Sequence, residues 1–280
     1  MAIIVPEVYG ELLTEKVKGN VRISAVADVI GTLSDFTEEG DSITFPKFSA
    51  LTEAELLSRG AEINTEELKQ TSTKKNVKHY AKGVSILDVD AKEGLGNFQQ
   101  NAIEQQASIF ARARDKEMVA DIDANALLKQ SCVMGDTITE AELISGLQLF
   151  GDDQDNSTFA GIFINSLLLP SFYAMEGFVN SNKTYSKMGN GEILNGVVGY
   201  YRGSIPVVLT DCNTYDNATK ECKTYIVKKH ALGIKNKTDG VNIELDRVAK
   251  AKRTDVFADE MFACGLIQTD GVVILRKTIA

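Results

Sequence analysis

Only two histidines, His79 and His230, occur in the 280 residues, so the usual proton shuttle near neutral pH is scarce. Neither lies near a Ser or Cys in a nucleophile-elbow context such as G-x-S-x-G. The four cysteines, Cys132, Cys212, Cys222 and Cys264, are scattered, with no C-x-x-C pair and no companion His. That spacing argues against a zinc site and for free thiols in a reducing compartment. Asp152-Asp153-Gln154-Asp155-Asn156 invites a calcium reading, which fails because no Gly and no terminal Glu stand where an EF-hand loop needs them. It reads as a solvated acidic turn. Gly189-x-Gly191 lacks both the third glycine and the Lys-Ser/Thr ending of a phosphate cradle. Carboxylate pairs such as Asp88/Asp90 and Asp152/Asp153 carry no information by spacing alone. The expectation is a protein with no catalytic, metal or cofactor residues, and not an enzyme.

What remains is charge and its distribution. The formal net charge is −9, whereas a specific nucleic-acid binder normally presents a basic field. Tight DNA or RNA binding by the whole surface is therefore not expected, whereas standing near a polyanion without adhering to it is compatible with this charge. Two local clusters stand out. Glu53, Glu55, Glu62, Glu66 and Glu67, with Arg59 among them, make a polar acidic stretch, and Arg247, Lys250, Lys252 and Arg253 make a basic one. The composition is 44% hydrophobic and 25% charged, as in a chain able to bury a core. No basic n-region with an apolar run opens the chain, and no run approaches the roughly 18 apolar residues of a membrane span.

The elements that position these residues are organised around 94–130, which has no proline, and no glycine after Gly96. Leu95, Phe98, Ala102, Ile109 and Ala113 fall on one helical face, continued by Val119, Ile122 and Ala126. Gln100, Glu104, Ser108 and Asp115 lie opposite. A helix from Asn97 to Gln130 would be about 50 Å long and would overhang any compact domain of its own. The alternative is an ordinary core helix broken near Arg114.

Before it, Glu7 to Val17 reads as a short amphipathic helix within an N-terminal arm. Asp41 to Phe48 alternates like a strand, which Pro46 demotes to an edge. Residues 71–81 alternate with neither side apolar, so 38–83 reads as two antiparallel arms joined by the acidic connection. Such a ribbon is marginal alone and wants a neighbour to lie on. Val84 to Asp90 reads as a buried strand leading into the long helix. Thr139 and Glu142 form a capping-box pattern for a helix over 140–150 that stops at Gly151. Phe159 to Asn165, Gly199 to Asp211, Thr224 to Lys228, Val241 to Leu245, Val256 to Ile267 and Val272 to Leu275 read as strands. A short helix begins near Pro170, and 180–196 is a polar surface loop. Helices and strands interleave without a regular βαβ beat, which indicates α+β.

This order of parts resembles the major capsid protein of tailed bacteriophages, whose fold is shared with encapsulin shells and the herpesvirus capsid floor. The matching segments are Pro6-Glu7-Val8-Tyr9, Gly40-Asp41-Ser42-Ile43-Thr44-Phe45-Pro46, Gly199 to Asp211, Glu244-Leu245-Asp246-Arg247 and Thr254-Asp255-Val256. The resemblance covers essentially the whole chain.

It implies an N-terminal arm at 1–37 and an extended β-hairpin loop at 38–83 that overlaps an adjacent subunit. It implies a peripheral domain at 84–150 and 247–268 with a spine helix over 94–130, and an axial α/β domain at 151–246 and 269–280. It further implies a virion protein, assembled in the host bacterial cytoplasm from pentamers and hexamers into an icosahedral shell that encloses double-stranded DNA by proximity alone. Partners are then other copies of the chain, a portal and, since the chain starts directly at the arm, a separate scaffolding protein, with no membrane. Some relatives cross-link Lys to Asn between subunits; Lys47, Lys69, Lys74 and Lys75 lie in or beside the extension, with no partner to assign. Assembly contacts are expected from the acidic extension (Glu53, Glu55, Glu62, Glu66, Glu67, with Arg59) against the basic Arg247, Lys250 and Arg253 of a neighbour. Two other readings are an encapsulin-like compartment that encloses a cargo enzyme, and a soluble enzyme with a deep polar pocket.

Overall fold

A computed structural model of the chain describes residues 6–32, 42–48, 56, 63, 65–93, 97–152, 154–180, 196–212, 214–236 and 240–279. In chain order the elements are α1 (Pro6–Asn20), β1 (Asp28–Thr32), β2 (Ser42–Phe48), β3 (Gln70–Asn76), β4 (Lys78–Leu87), α2 (Asp88–Glu93) and α3 (Phe98–Asn125). There follow β5 (Leu128–Ser131), α4 (Glu140–Gln148), β6 (Phe159–Ile164), α5 (Leu169–Tyr173), β7 (Phe178–Asn180), β8 (Val197–Tyr201), β9 (Ile205–Leu209) and β10 (Tyr215–Asp216). The last are β11 (Glu221–Lys228), β12 (Leu232–Asn236), β13 (Asn242–Val248), β14 (Arg253–Leu266) and β15 (Val272–Thr278).

The strands make three sheets. The larger has eight strands in the order β5-β15-β11-β6-β9-β8-β7, with β10 on β11. The smaller has five, in the order β1-β12-β14-β13, with β4 on β14. β2 and β3 form a separate two-stranded ribbon. Parallel pairs (β1–β12, β5–β15, β6–β9) mix with antiparallel ones, consistent with the α+β expectation.

Apolar side chains explain the layers. One side of the larger sheet (Ile162, Ile164, Ile226, Leu275) packs on Leu143 and Leu147 of α4 and Phe172 of α5. Its other side (Phe163, Tyr225, Val227, Ile274) packs on Met118, Val119 and Ile122 of α3. The first half of α3 (Ile103, Ala107, Phe110) covers the smaller sheet at Val256 and Ala258, joined there by Tyr9, Leu13 and Val17 of α1. The helix therefore spans two sheets, which is why about 42 Å of helix is useful to one chain.

Several sequence expectations shift. The helix runs Phe98–Asn125 rather than 94–130, capped by Asn97 and unbroken at Arg114. Its buried seam includes Ala102, Val119 and Ile122, with Gln100, Glu104 and Ser108 exposed, as anticipated; Phe98 and Ile109 are exposed and Asp115 buried, contrary to expectation. Three polar or charged residues buried along the helix, Gln106, Arg114 and Asp115, misdirected an apolar count. The supposed single arm over 71–81 is two strands, β3 and β4, and only β3 belongs to the ribbon; β4 pairs with β14 along ten positions. Accordingly 84–90 is not a separate buried strand: it is the mostly exposed end of β4 running into α2.

The ribbon is also not without a seat. Ile43 and Phe45, the latter only 1% exposed, pack on Ala263 and Ile267 of the chain's own smaller sheet. The division at residue 150 does not follow the sheets: β5 and α4 go with the larger sheet, β12 and β13 with the smaller. The capping box at Thr139 and Glu142, and the left-handed Gly151 after α4, are as expected.

Candidate assembly surfaces

Among the described residues, the buried polar side chains make contacts that tie the elements together. Polar residues along α3 tie down one or two other elements each. Tyr9 Oη of α1 donates to Gln106 Oε1 at 2.6 Å, while Gln106 Nε2 donates to the Lys82 carbonyl of β4 at 3.0 Å. Arg114 makes an ion pair with Glu260 of β14, with 9% and 1% of the two side chains exposed. Burial lowers the guanidinium pKa, yet the buried pair fixes where helix and strand meet. Asp115 accepts the backbone N–H groups of Arg22 and Ser24, each at 2.9 Å, and so pins the segment after α1. Burial raises its pKa, partly offset by those two donors. Asp123 accepts from Lys223 Nζ at 2.6 Å and Tyr225 Oη at 3.0 Å on the larger sheet.

Asp121 holds the root of the ribbon. It accepts both contacts from Lys75 Nζ of β3, each at 2.6 Å, and the Leu266 N–H at 2.7 Å. The approach is possible because Gly233 and Gly265 face each other across β12 and β14. A Cβ on Gly265 would stand 2.5 Å from Asp121 Oδ2 and 2.7 Å from Lys75 Cε, and one on Gly233 would stand 3.2 Å from the Phe45 ring. Two glycines thus make a notch in which the ribbon is seated.

Of the expected contact residues, Glu53, Glu55, Arg59 and Glu62 lie outside the described residues, as do the Gly40-Asp41 start of the second matching segment and most of the 180–196 loop. Glu66 and Glu67 are exposed on the approach to β3. Arg247, Lys250 and Arg253 do come together, at the turn between β13 and β14. Arg247 donates to both carboxylate oxygens of Asp88 and to Thr254 Oγ1, and Arg253 lies 3.2 Å from Asp255. Two of the three cations therefore have partners in their own chain, and Lys250 is exposed beside them. The α3 polar row and Lys75 were not singled out as a set. Their signal was present: Arg114 sits four residues from both Phe110 and Met118, in phase with the buried seam.

Both histidines pair with aspartates at the surface, His79 with Asp259 at 3.1 Å and His230 with Asp28 at 2.7 Å. All four cysteines are free, Cys212 and Cys222 buried. Burial pushes the Cys132 and Cys222 thiols up to about 11 and Cys264 up to about 12. Among the described residues no cluster of three His, Cys, Asp or Glu is placed to hold a metal ion, and no helix is long and apolar enough to cross a membrane.

Compared with known proteins, the chain matches no family model. It is 26% identical over 278 residues to the major capsid protein of Staphylococcus phage phiMR11, covering 98% of this chain and 93% of that protein. Among solved structures it resembles the capsid of cyanophage P-SCSP1u with a TM-score of 0.63 at 15% identity, over 93% of this chain and 89% of that one. It also resembles a virus-like particle from Pyrococcus furiosus, with a TM-score of 0.57 at 14% identity, over 96% and 98% of the two chains.

Two sheets bridged by one long helix, with a ribbon held at its root, therefore constitute the shell-forming capsid fold. Over nearly its whole length the chain is similar to the major capsid protein of Staphylococcus phage phiMR11, and it has the fold of phage capsid subunits.

Proposed function

We propose that the protein self-assembles through pentamers and hexamers into an icosahedral shell around double-stranded DNA, in the host bacterial cytoplasm, with a separate scaffolding protein and a portal. The observation that carries this reading is the ribbon. It is rooted in its own subunit by Ile43, Phe45 and Lys75, while Gln70, Ser72, Lys74 and Asn76 of β3 are polar and exposed, a form that gains a covering from another copy. The smaller sheet with the first half of α3 is the peripheral part, and the larger sheet with α4 and α5 the axial part. The work of the chain is mechanical rather than catalytic, in keeping with relatives that are capsid proteins. Its net charge of −9 suits DNA held by enclosure and not by adhesion.

Purified full-length protein, alone and with the scaffolding protein of the same phage, is to be measured by light scattering and negative-stain electron microscopy. Capsomer-sized rings or closed shells are the expected outcome. A monomer or dimer unchanged by concentration or scaffold overturns the reading. A second reading, a compartment around protein cargo, is open to the same fold, which the chain shares with the Pyrococcus furiosus virus-like particle. Particles isolated from lysed host cells decide between the two: nuclease-protected DNA supports the first, a stoichiometric enzyme without DNA the second.

A further inference from the structure

Where the ribbon joins the body, β3 breaks at Val77 and the chain continues as β4. Beside that junction the second half of α3 leaves a groove of about 420 Å³. Ala120 and Ala124 line its helix side, so nothing longer than a methyl group stands there. The charged side chains around it are Lys74, Lys75 and Lys78 against Glu117 and Asp121. Three ammonium groups against two carboxylates leave one positive charge in surplus, within a chain whose net charge is −9.

Both carboxylates are already supplied with donors. Asp121 accepts from Lys75 Nζ, from Asn125 Nδ2 at 2.9 Å and from the Leu266 N–H. Glu117 accepts from Lys78 Nζ at 3.0 Å and from Tyr80 Oη. The donors, by contrast, are not used up. Lys74 is exposed and its ammonium meets no partner among the described residues, and the same holds for the Asn76 side-chain amide. Lys78 gives Glu117 one of its three N–H groups. The groove thus has free donors from both sides of the β3–β4 junction, satisfied acceptors, a small positive surplus and open space. Its complement is a compact anion whose oxygens point in several directions, as those of phosphate do, rather than in one plane like a carboxylate's.

We propose that this junction is a seat for a phosphate group, held by Lys74 and the Asn76 amide of β3 and by Lys78 of β4. The group is inorganic phosphate or a phosphodiester of a polynucleotide backbone, which present the same anionic oxygens. Bound there, it fastens two residues before Val77 to one after it and stiffens the point from which the ribbon springs, while Lys75 stays with Asp121. One surplus charge per copy gives only weak attachment, in keeping with the acidic balance of the whole chain. The site lies within a single chain, so it does not depend on the shell reading.

Thermal unfolding of the full-length protein is compared in sodium phosphate and in sodium chloride of equal ionic strength. A midpoint about 2–4 °C higher in phosphate is expected, with slower amide exchange over residues 70–78. Phosphate also stabilises proteins in general by exclusion from their surface, so Lys74→Glu and Asn76→Ala serve as references that keep this general effect and should lose the rest. Neither side chain has a partner to lose, and both variants should melt like the parent in chloride. A labelled DNA duplex titrated between about 50 and 200 mM salt distinguishes the sources: a backbone phosphate gives a log–log salt slope of about −1, and Lys74→Glu weakens binding about tenfold. A variant-sensitive phosphate shift without duplex binding assigns the seat to the free anion, and duplex binding lost in Lys74→Glu assigns it to the polynucleotide. Equal phosphate shifts in parent and variants, together with duplex binding that is absent or unchanged by Lys74→Glu, overturn the inference and leave the shell reading as it stands.

Discussion

Asp115 shows what a single side chain does in this protein. It stands in the middle of a helix, 2% exposed, and spends both oxygens on backbone N–H groups of a segment more than ninety positions earlier in the chain. Asp115→Ala leaves two buried donors unpaired, and the expected loss is about 2–4 kcal/mol in a chemical denaturation experiment. Asp115→Asn retains one acceptor and should lose less. Its pH signature follows from the direction of the shift. Burial raises the folded pKa, so the group contributes most below the ordinary carboxylate range, and that contribution declines as pH climbs through the raised value. Glu142 runs the other way. Burial works to raise its pKa, but the Thr139 N–H, Lys277 and the Val133 N–H outweigh it and hold it below 4.5. Its contribution is complete above that value and is lost as pH falls through the lowered one. Thermal unfolding from pH 6 to pH 3 should therefore show a steeper loss of stability in the parent than in Glu142→Gln.

The ribbon is the element whose behaviour is most sharply set by local geometry. Burying Phe45 at the glycine notch stabilises its root by roughly 2–3 kcal/mol, and the Lys75–Asp121 pair orients it. Gly265→Ala drives a methyl group into that pair. Amide hydrogen exchange across 42–48 and 70–76 should then accelerate while α4 and the larger sheet keep their protection. Unchanged exchange in the ribbon would mean that the notch does not hold it. This is also where sequence and structure part. The alternation of Ile43 and Phe45 was legible, and so was the capping box at Thr139, because both are local patterns. The seat for Phe45 was not legible, since Gly233 and Gly265 become neighbours only when β12 pairs with β14. The break between β3 and β4 at Val77 was hidden by a continuous polar alternation through 71–81. Along α3 Ala102, Val119 and Ile122 were placed correctly, but the burial of Gln106, Arg114 and Asp115 was missed because they look like a solvent face until their distant partners are known.

On the scale of the molecule, the larger sheet and the smaller one are knit by strands from opposite ends of the sequence. β1 is bonded to β12, α1 packs on α3 and β13, and β14 lies between β4 on one edge and β12 and β13 on the other. A chain ending before Arg253 lacks the strand on which β4, β12 and β13 all depend, together with β15. Such a truncation should show no cooperative thermal transition by circular dichroism; a sharp transition would mean that the larger sheet folds by itself.

That interleaving has a consequence for the order of events on the ribosome. At roughly 5–20 residues per second the chain takes about 10–60 s to emerge, and for most of that time its first strand has nothing to pair with. The late arrival of β14 and β15 turns completion of synthesis into a checkpoint. In the shell proposed above, a fragment released early has no finished surface to offer a neighbour, and one defective copy would spoil many contacts.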